Sequence, residues 1–193
     1  MLGTLNAEAQ PVFADGRLDG CTVVYGALAK DFTYKQGGYI AVNGSFGLMS
    51  AKGQLAATLK VVVHDTDPRT NSFTPSPPAT AYFVSGNKTT KDAVVSHISS
   101  DTPGAIFVVL KPEATFQILT EGLARDKVTI AFARERGGMD VQLAIDTSVA
   151  ETKPNGERIH SPKAATDFLQ CSTELLDSML ASPSPAAAPG KRR

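Results

Sequence analysis

The sequence predicts an α+β protein, a mainly antiparallel sheet or sandwich covered by a C-terminal helix. Three observations carry this. Lys127 to Asp146 reads as two alternating arms around Gly137-Gly138, Leu55 to His64 alternates over ten residues, and an amphipathic stripe follows Ser161-Pro162. At 193 residues the chain suits one domain with tails and buries a real core. The organisation expected is a loose N-terminus over 1–10, a β-rich domain over 11–180 and a disordered Pro/Ala-rich tail over 181–193.

In the stretch from 127 to 146, Val128, Ile130 and Phe132 alternate with smaller residues, as do Val141, Leu143 and Ile145. A two-residue Gly-Gly turn supplies the positive φ angles of a type I′ turn. It would set Phe132 opposite Leu143 and Ile130 opposite Ile145.

From the N-terminus, MLGTLNAEAQ lacks the basic and apolar regions of a signal peptide, although Ala7-Glu8-Ala9 has the small-x-small pattern that ends one. It is either the remnant of a leader or an ordinary frayed end. Leu18 to Tyr25 is a short β-prone run carrying Cys21. Gly38 to Val42 and Phe46 to Met49 give two strands separated by the turn dipeptide Asn43-Gly44. In Leu55 to His64, Leu55, Ala57, Leu59, Val61 and Val63 line one face. Asp65 to Pro78, with four prolines, reads as a long surface loop without a ladder.

Ala81 to Val84 and Val94 to Ile98 are strands, and Ala105 to Leu110, apolar on both faces, is an internal one. Pro112 to Leu123 fits a short helix with Pro112 at its first position and Phe116, Leu119 and Leu123 in one stripe; Phe116 and Ile118 alone fit a strand. Thr147 to His160 is a polar connection. Ser161 caps the closing helix, Pro162 is its first residue, and Phe168, Cys171, Leu175 and Met179 form its apolar face, widened by Leu169, Leu176 and Leu180.

The balance of 19 basic and 19 acidic residues gives no basic surface for nucleic acid, and no apolar run reaches the ~18 residues of a membrane span. The only two cysteines, Cys21 and Cys171, stand near opposite ends of the folded region without C-x-x-C spacing, which disfavours zinc. They are either a disulfide joining the chain ends of a periplasmic or secreted protein, or two buried free thiols in a cytoplasmic one.

Catalytic chemistry has little to work with. The histidines are His64, His97 and His160, and only His64-Asp65-Thr66-Asp67 places carboxylates beside one. Such a cluster suits a divalent metal or a positioned base, while a strand running into a turn uses the same residue types. No G-x-S-x-G turn is present, and Gly137-Gly138 lacks the following helix that a phosphate-binding loop requires. No cofactor is implied. Asn43-Gly44-Ser45 and Asn87-Lys88-Thr89 match glycosylation sequons and also read as turns. Arg134, Glu135, Arg136 and Asp140 read as a solvated hairpin end.

The layout from about residue 112 to 180 resembles the closing arrangement of the invasion-associated locus B family, small extracytoplasmic proteins of alphaproteobacteria. The resemblance rests on a helical segment ending LTEGLARD, the hairpin KVTIAFARERGGMDVQLAID, and a linker leading to a helix with Phe168 and Cys171. It implies a periplasmic β-rich domain and carries over no catalytic residue. The function expected is a non-enzymatic domain that binds a protein partner or small ligand. The alternative is a hydrolase or metal-dependent enzyme using His64, Asp65 and Asp67.

Overall fold

The computed structural model describes residues 2–51, 53–100 and 102–181. In chain order the strands are β1 (Gly3–Ala14), β2 (Arg17–Asp31), β3 (Gly38–Ala51), β4 (Gln54–Asp67), β5 (Ser72–Pro75), β6 (Thr80–Ser85), β7 (Lys88–Thr89), β8 (Val94–Ser99) and β9 (Ala105–Leu110). Helix α1 (Pro112–Leu123), strands β10 (Lys127–Ala133), β11 (Val141–Asp146), β12 (Val149–Thr152) and β13 (Arg158–His160), and helix α2 (Lys163–Ala181) complete the chain. One sheet runs β1-β2-β3-β4-β9-β8, with β5 also on β4; a second runs β11-β10-β6-β7, and β12 pairs with β13. Every pairing is antiparallel. No helix among the described residues is long and apolar enough to cross a membrane.

The α+β class is therefore observed, and the core explains it. Val23 and Tyr25 on β2, Phe46 and Leu48 on β3, and Leu59, Val61 and Val63 on β4 are buried on one face of the large sheet. They meet Phe83 of β6, Ile130 and Phe132 of β10, Leu119 of α1, and Phe168 and Leu175 of α2 in one cluster. The Phe46 ring lies edge-on to Phe83 at 5.9 Å and to Phe168 at 6.5 Å, tying both sheets and α2 together. Leu169 and Leu180 of α2 and Phe116 of α1 instead stand in water, so the helical stripes are narrower than expected.

Cys21 and Cys171 form a disulfide with Cα atoms 5.8 Å apart, pinning α2 over β2. Ser161 Oγ accepts from Lys163 N at 3.2 Å at the start of α2.

Several expectations are corrected. The N-terminus over 1–10 is not loose. Residues from Gly3 pair along β2, with Thr4 and Ala7 buried, because β2 supplies a backbone ladder that this weakly β-prone stretch takes up. The expected tail lies outside the described residues apart from Ala181, the last residue of α2. Asn43-Gly44 is no turn. A Cβ at Gly44 would lie 2.7 Å from Tyr25 Oη and 2.0 Å from Lys60 O, so the glycine makes room for a buried tyrosine in one continuous β3. The hydroxyl of Tyr25 donates to Lys60 O at 3.2 Å. The segment after His64 does hold a ladder, since β4 continues to Asp67 and β5 folds back onto it.

The hairpin of β10 and β11 has the expected faces but not the expected register. Ile130 faces Leu143, and Phe132 faces Val141. A shift of two residues keeps the same side chains inward. Pairing between the arms stops at Phe132 and Val141, and only Gly137, at φ +72, is left-handed.

Candidate functional site at the loop end

Antiparallel pairing gathers several connections at one end of the large sheet. Asp31 pairs with Gly38, Ile40 with Asp65, and Asp67 with Ser72, while Val63 N donates to Gly104 O at 2.9 Å. The β2–β3, β4–β5 and β8–β9 turns therefore share this end, and the β10–β11 loop is drawn to it by Arg134.

The β2–β3 turn is built by Asp31. Its Oδ1 accepts from Thr33 N at 2.9 Å and Tyr34 N at 2.8 Å, a side-chain turn of the kind aspartate favours. Gln36 and Gly37 are both left-handed, and a Cβ at Gly37 would lie 2.9 Å from the Phe32 ring. The turn thus closes while leaving Phe32 75% exposed.

The remaining oxygen of Asp31 meets Arg134. Arg134 Nε donates to Asp31 Oδ2 at 3.0 Å, Nη2 reaches Asp65 Oδ1 at 2.8 Å, and Nη1 donates to Ser76 Oγ. The guanidinium lies 5.8 Å over the Tyr34 ring. Lys35 Nζ stands 2.6 Å from the other oxygen of Asp65. Two cations therefore balance two carboxylates across three chain segments, the β2–β3 turn, β4 and the β10–β11 loop. Burial pushes the Asp65 carboxyl up, but the bonds and charges of Lys35 and Arg134 outweigh it and hold the group below the usual carboxylate range.

These contacts explain why the hairpin opens early. Arg134 leaves the ladder for Asp31 and Asp65, Tyr34 Oη donates to Met139 O at 2.5 Å, and Tyr82 Oη donates to Asp140 Oδ2. Burial, reinforced by the Asp140 carboxylate, pushes the Tyr82 phenol well above its ordinary value. Of the four residues expected to form a solvated hairpin end, Arg134 and Asp140 are instead bound inward, while Glu135 and Arg136 are exposed.

Two clefts flank the loops. One of about 450 Å³ is lined by Leu28, Tyr39, Thr66, Pro68 and Phe73. The other, about 480 Å³, lies among Pro77, Pro78, Pro103, His97 and Arg136. Phe73 is 63% and Met139 is 74% exposed.

The His64-Asp65-Thr66-Asp67 cluster is at this end but does not converge. Strand alternation sends His64 to the face opposite Asp65 and Asp67. Asp65 is held by Lys35 and Arg134, and Asp67 Oδ1 accepts from Arg69 N at 2.8 Å in the turn. His97 lies against Thr80 and His160 against Ser148, each away from the others. Among the described residues no three His, Cys, Asp or Glu side chains are grouped to hold a metal ion. Of the sequons, Asn43 is exposed within β3 and Asn87 sits in the turn between β6 and β7.

Sequence reasoning missed Asp31 altogether, and the only available signal was its position between a β-prone run and Gly37-Gly38. The chain matches no protein-family model, no curated protein and no solved structure.

Proposed function

We propose that the protein is a non-enzymatic extracytoplasmic domain, periplasmic or secreted, that binds a protein partner at the loop end. The observation that carries this reading is a buried ionic network holding loops that present Phe32 and Met139 to water. Large apolar side chains on preorganised loops lose little conformational freedom on binding, and phenylalanine and methionine are enriched in interfaces. Phe73, across the neighbouring cleft, extends the apolar rim. The disulfide supports an oxidising compartment. So does the resemblance of the C-terminal half to the extracytoplasmic invasion-associated locus B family. A non-enzymatic role is favoured over hydrolase or metal chemistry by the engagement of Asp65 and Asp67 in the network and the turn.

Photo-crosslinking in cells tests the reading. Benzoylphenylalanine replacing Phe32 or Met139 should capture a discrete protein adduct. The same group at Phe13, which is 62% exposed on β1 and pairs with Leu18 at the far end of β2, should not. Equal capture at all three positions, or capture at neither loop position, would remove the proposal.

A further inference from the structure

The large sheet ends in β8, along whose free edge no further strand pairs among the described residues, although its His97 meets Thr80 and shares a cleft with Pro77 and Pro78. Its other margin, β1, is occupied: β12 packs along it, Thr152 Oγ1 donates to Leu5 O at 2.7 Å, and Arg158 reaches Leu2 O. In the second sheet β11 packs against β1, and β7 is two residues long with Lys88 tied to Glu121. Strand β5 is short and ends in Pro75. These are the ways proteins blunt sheet edges.

Strand β8 has few of these defences. Val94–Ser99 reads Val-Val-Ser-His-Ile-Ser, with no charge and no proline, and pairs among the described residues only with β9. A bulge between Val94 and Ser96 disturbs its first half. From Ser96 to Ser99 the ladder is regular, with Ile98 opposite Phe107, so a straight edge of backbone donors and acceptors remains. Val95 is 61% and Ile98 49% exposed.

We infer that β8 is a self-association edge, pairing antiparallel with β8 of a second copy of this chain about a two-fold axis. Identical strands paired this way are self-complementary, since each residue meets its counterpart's partner in both directions. The absence of charge from Val94 to Ser99 means that no like charges oppose across the axis. A formal net charge of zero removes repulsion between whole copies. The contact joins two large sheets into one and places the apolar Ile98 side chains of both copies on its outer face. A strand-sized interface is small, so the dimer is a reversible one.

Sedimentation of the full chain across a concentration series decides the matter. A dimer should form at concentrations on the order of 10–100 µM. Ile98→Lys should weaken it by about tenfold or more, because each copy brings a charge to the shared edge. Phe32→Lys, at the loop end, should leave it unchanged. In the wild-type protein, hydrogen exchange at the amides of 96–99 should slow as concentration rises. A chain that stays monomeric to about 1 mM, a dimer indifferent to Ile98→Lys, or one abolished by Phe32→Lys overturns the assignment. None of these outcomes depends on the partner proposed for the loop end.

Discussion

Arg134 and Asp31 meet across 103 residues of sequence, Nε to Oδ2 at 3.0 Å. Only 9% of the arginine side chain and none of the aspartate side chain remains in water. An ion pair so far from solvent is weak evidence of net stability, because desolvation offsets much of the attraction. Its rupture is another matter. Arg134→Ala leaves Asp31 charged and buried, and should destabilise the fold by about 3–5 kcal/mol in urea unfolding. Arg134→Lys should not rescue it, since one ammonium cannot reach Asp31, Asp65 and Ser76 together. Combining Arg134→Met with Asp31→Asn should recover much of the loss. A single-variant cost below about 1 kcal/mol would show that the pair is not isolated from water.

Asp65 gives the network a pH dependence of definite sign. Burial opposes its ionisation, Lys35 and Arg134 favour it, and the folded carboxyl ends below its ordinary value. A group depressed on folding stabilises above its unfolded pKa, about 3.9 for aspartate, and loses that contribution as pH falls through the folded value. With 22% of Asp65 and 44% of Lys35 exposed, screening keeps the effect modest. The wild-type protein should therefore exceed Asp65→Asn in stability at about pH 7, and the gap should narrow as the pH falls through and below the ordinary carboxylate range. Urea midpoints across that range measure it. A gap that widens on acidification has the wrong sign.

What was legible in the sequence follows the range of the interactions. The alternation from Leu55 to Val63 and the stripe through Phe168 and Leu175 are written in neighbouring residues, and the buried face of each is as expected. The disulfide was legible as one of two alternatives because only two cysteines exist. Strand β1 was not, since Asn6, Glu8, Gln10 and Pro11 have no β preference of their own and are strand only because β2 lies beside them. Asn43-Gly44 carries a turn signal that a tyrosine 18 residues upstream of Asn43 overrides, Tyr25 filling the space above Gly44. Arg134 looked like part of a solvated hairpin tip because its partners, Asp31 and Asp65, are distant in sequence and leave no local signature. The register of the β10–β11 hairpin failed for the same reason: tertiary bonds from Arg134, Tyr34 and Asp140 outbid the Gly-Gly turn.

The disulfide closes a loop with a sequence separation of 150. Constraining so long a loop in the unfolded chain stabilises by about 5 kcal/mol in the chain-entropy account. Reductant should lower the urea midpoint accordingly, and Cys171→Ser should reproduce the loss. Cys21 is fully buried, so the thiol left in that variant should alkylate only on unfolding. Mass spectrometry of non-reduced digests should recover the two cysteine peptides joined. Separate peptides from oxidised protein would remove both the bond and its support for an extracytoplasmic location.

The last prediction concerns two adjacent glycines with different roles. Gly137 is left-handed with open space around its missing side chain, so Gly137→Ala should cost about 1 kcal/mol in backbone strain and disturb nothing else. Gly138 is not left-handed, yet a Cβ there would lie 2.5 Å from Tyr34 Oη, the hydroxyl that holds Met139 O. Gly138→Ala should therefore push Tyr34 off its acceptor, loosening the two loops at a cost of about 1–3 kcal/mol. Tyr34→Phe removes the hydroxyl alone and should cost about 0.5–1.5 kcal/mol. Because it also removes the obstruction, adding Gly138→Ala to Tyr34→Phe should cost much less than adding it to the wild-type chain. A double-mutant cycle in urea reads this coupling directly. Strict additivity of the two substitutions would mean that Gly138 and the Tyr34 hydroxyl are not in contact.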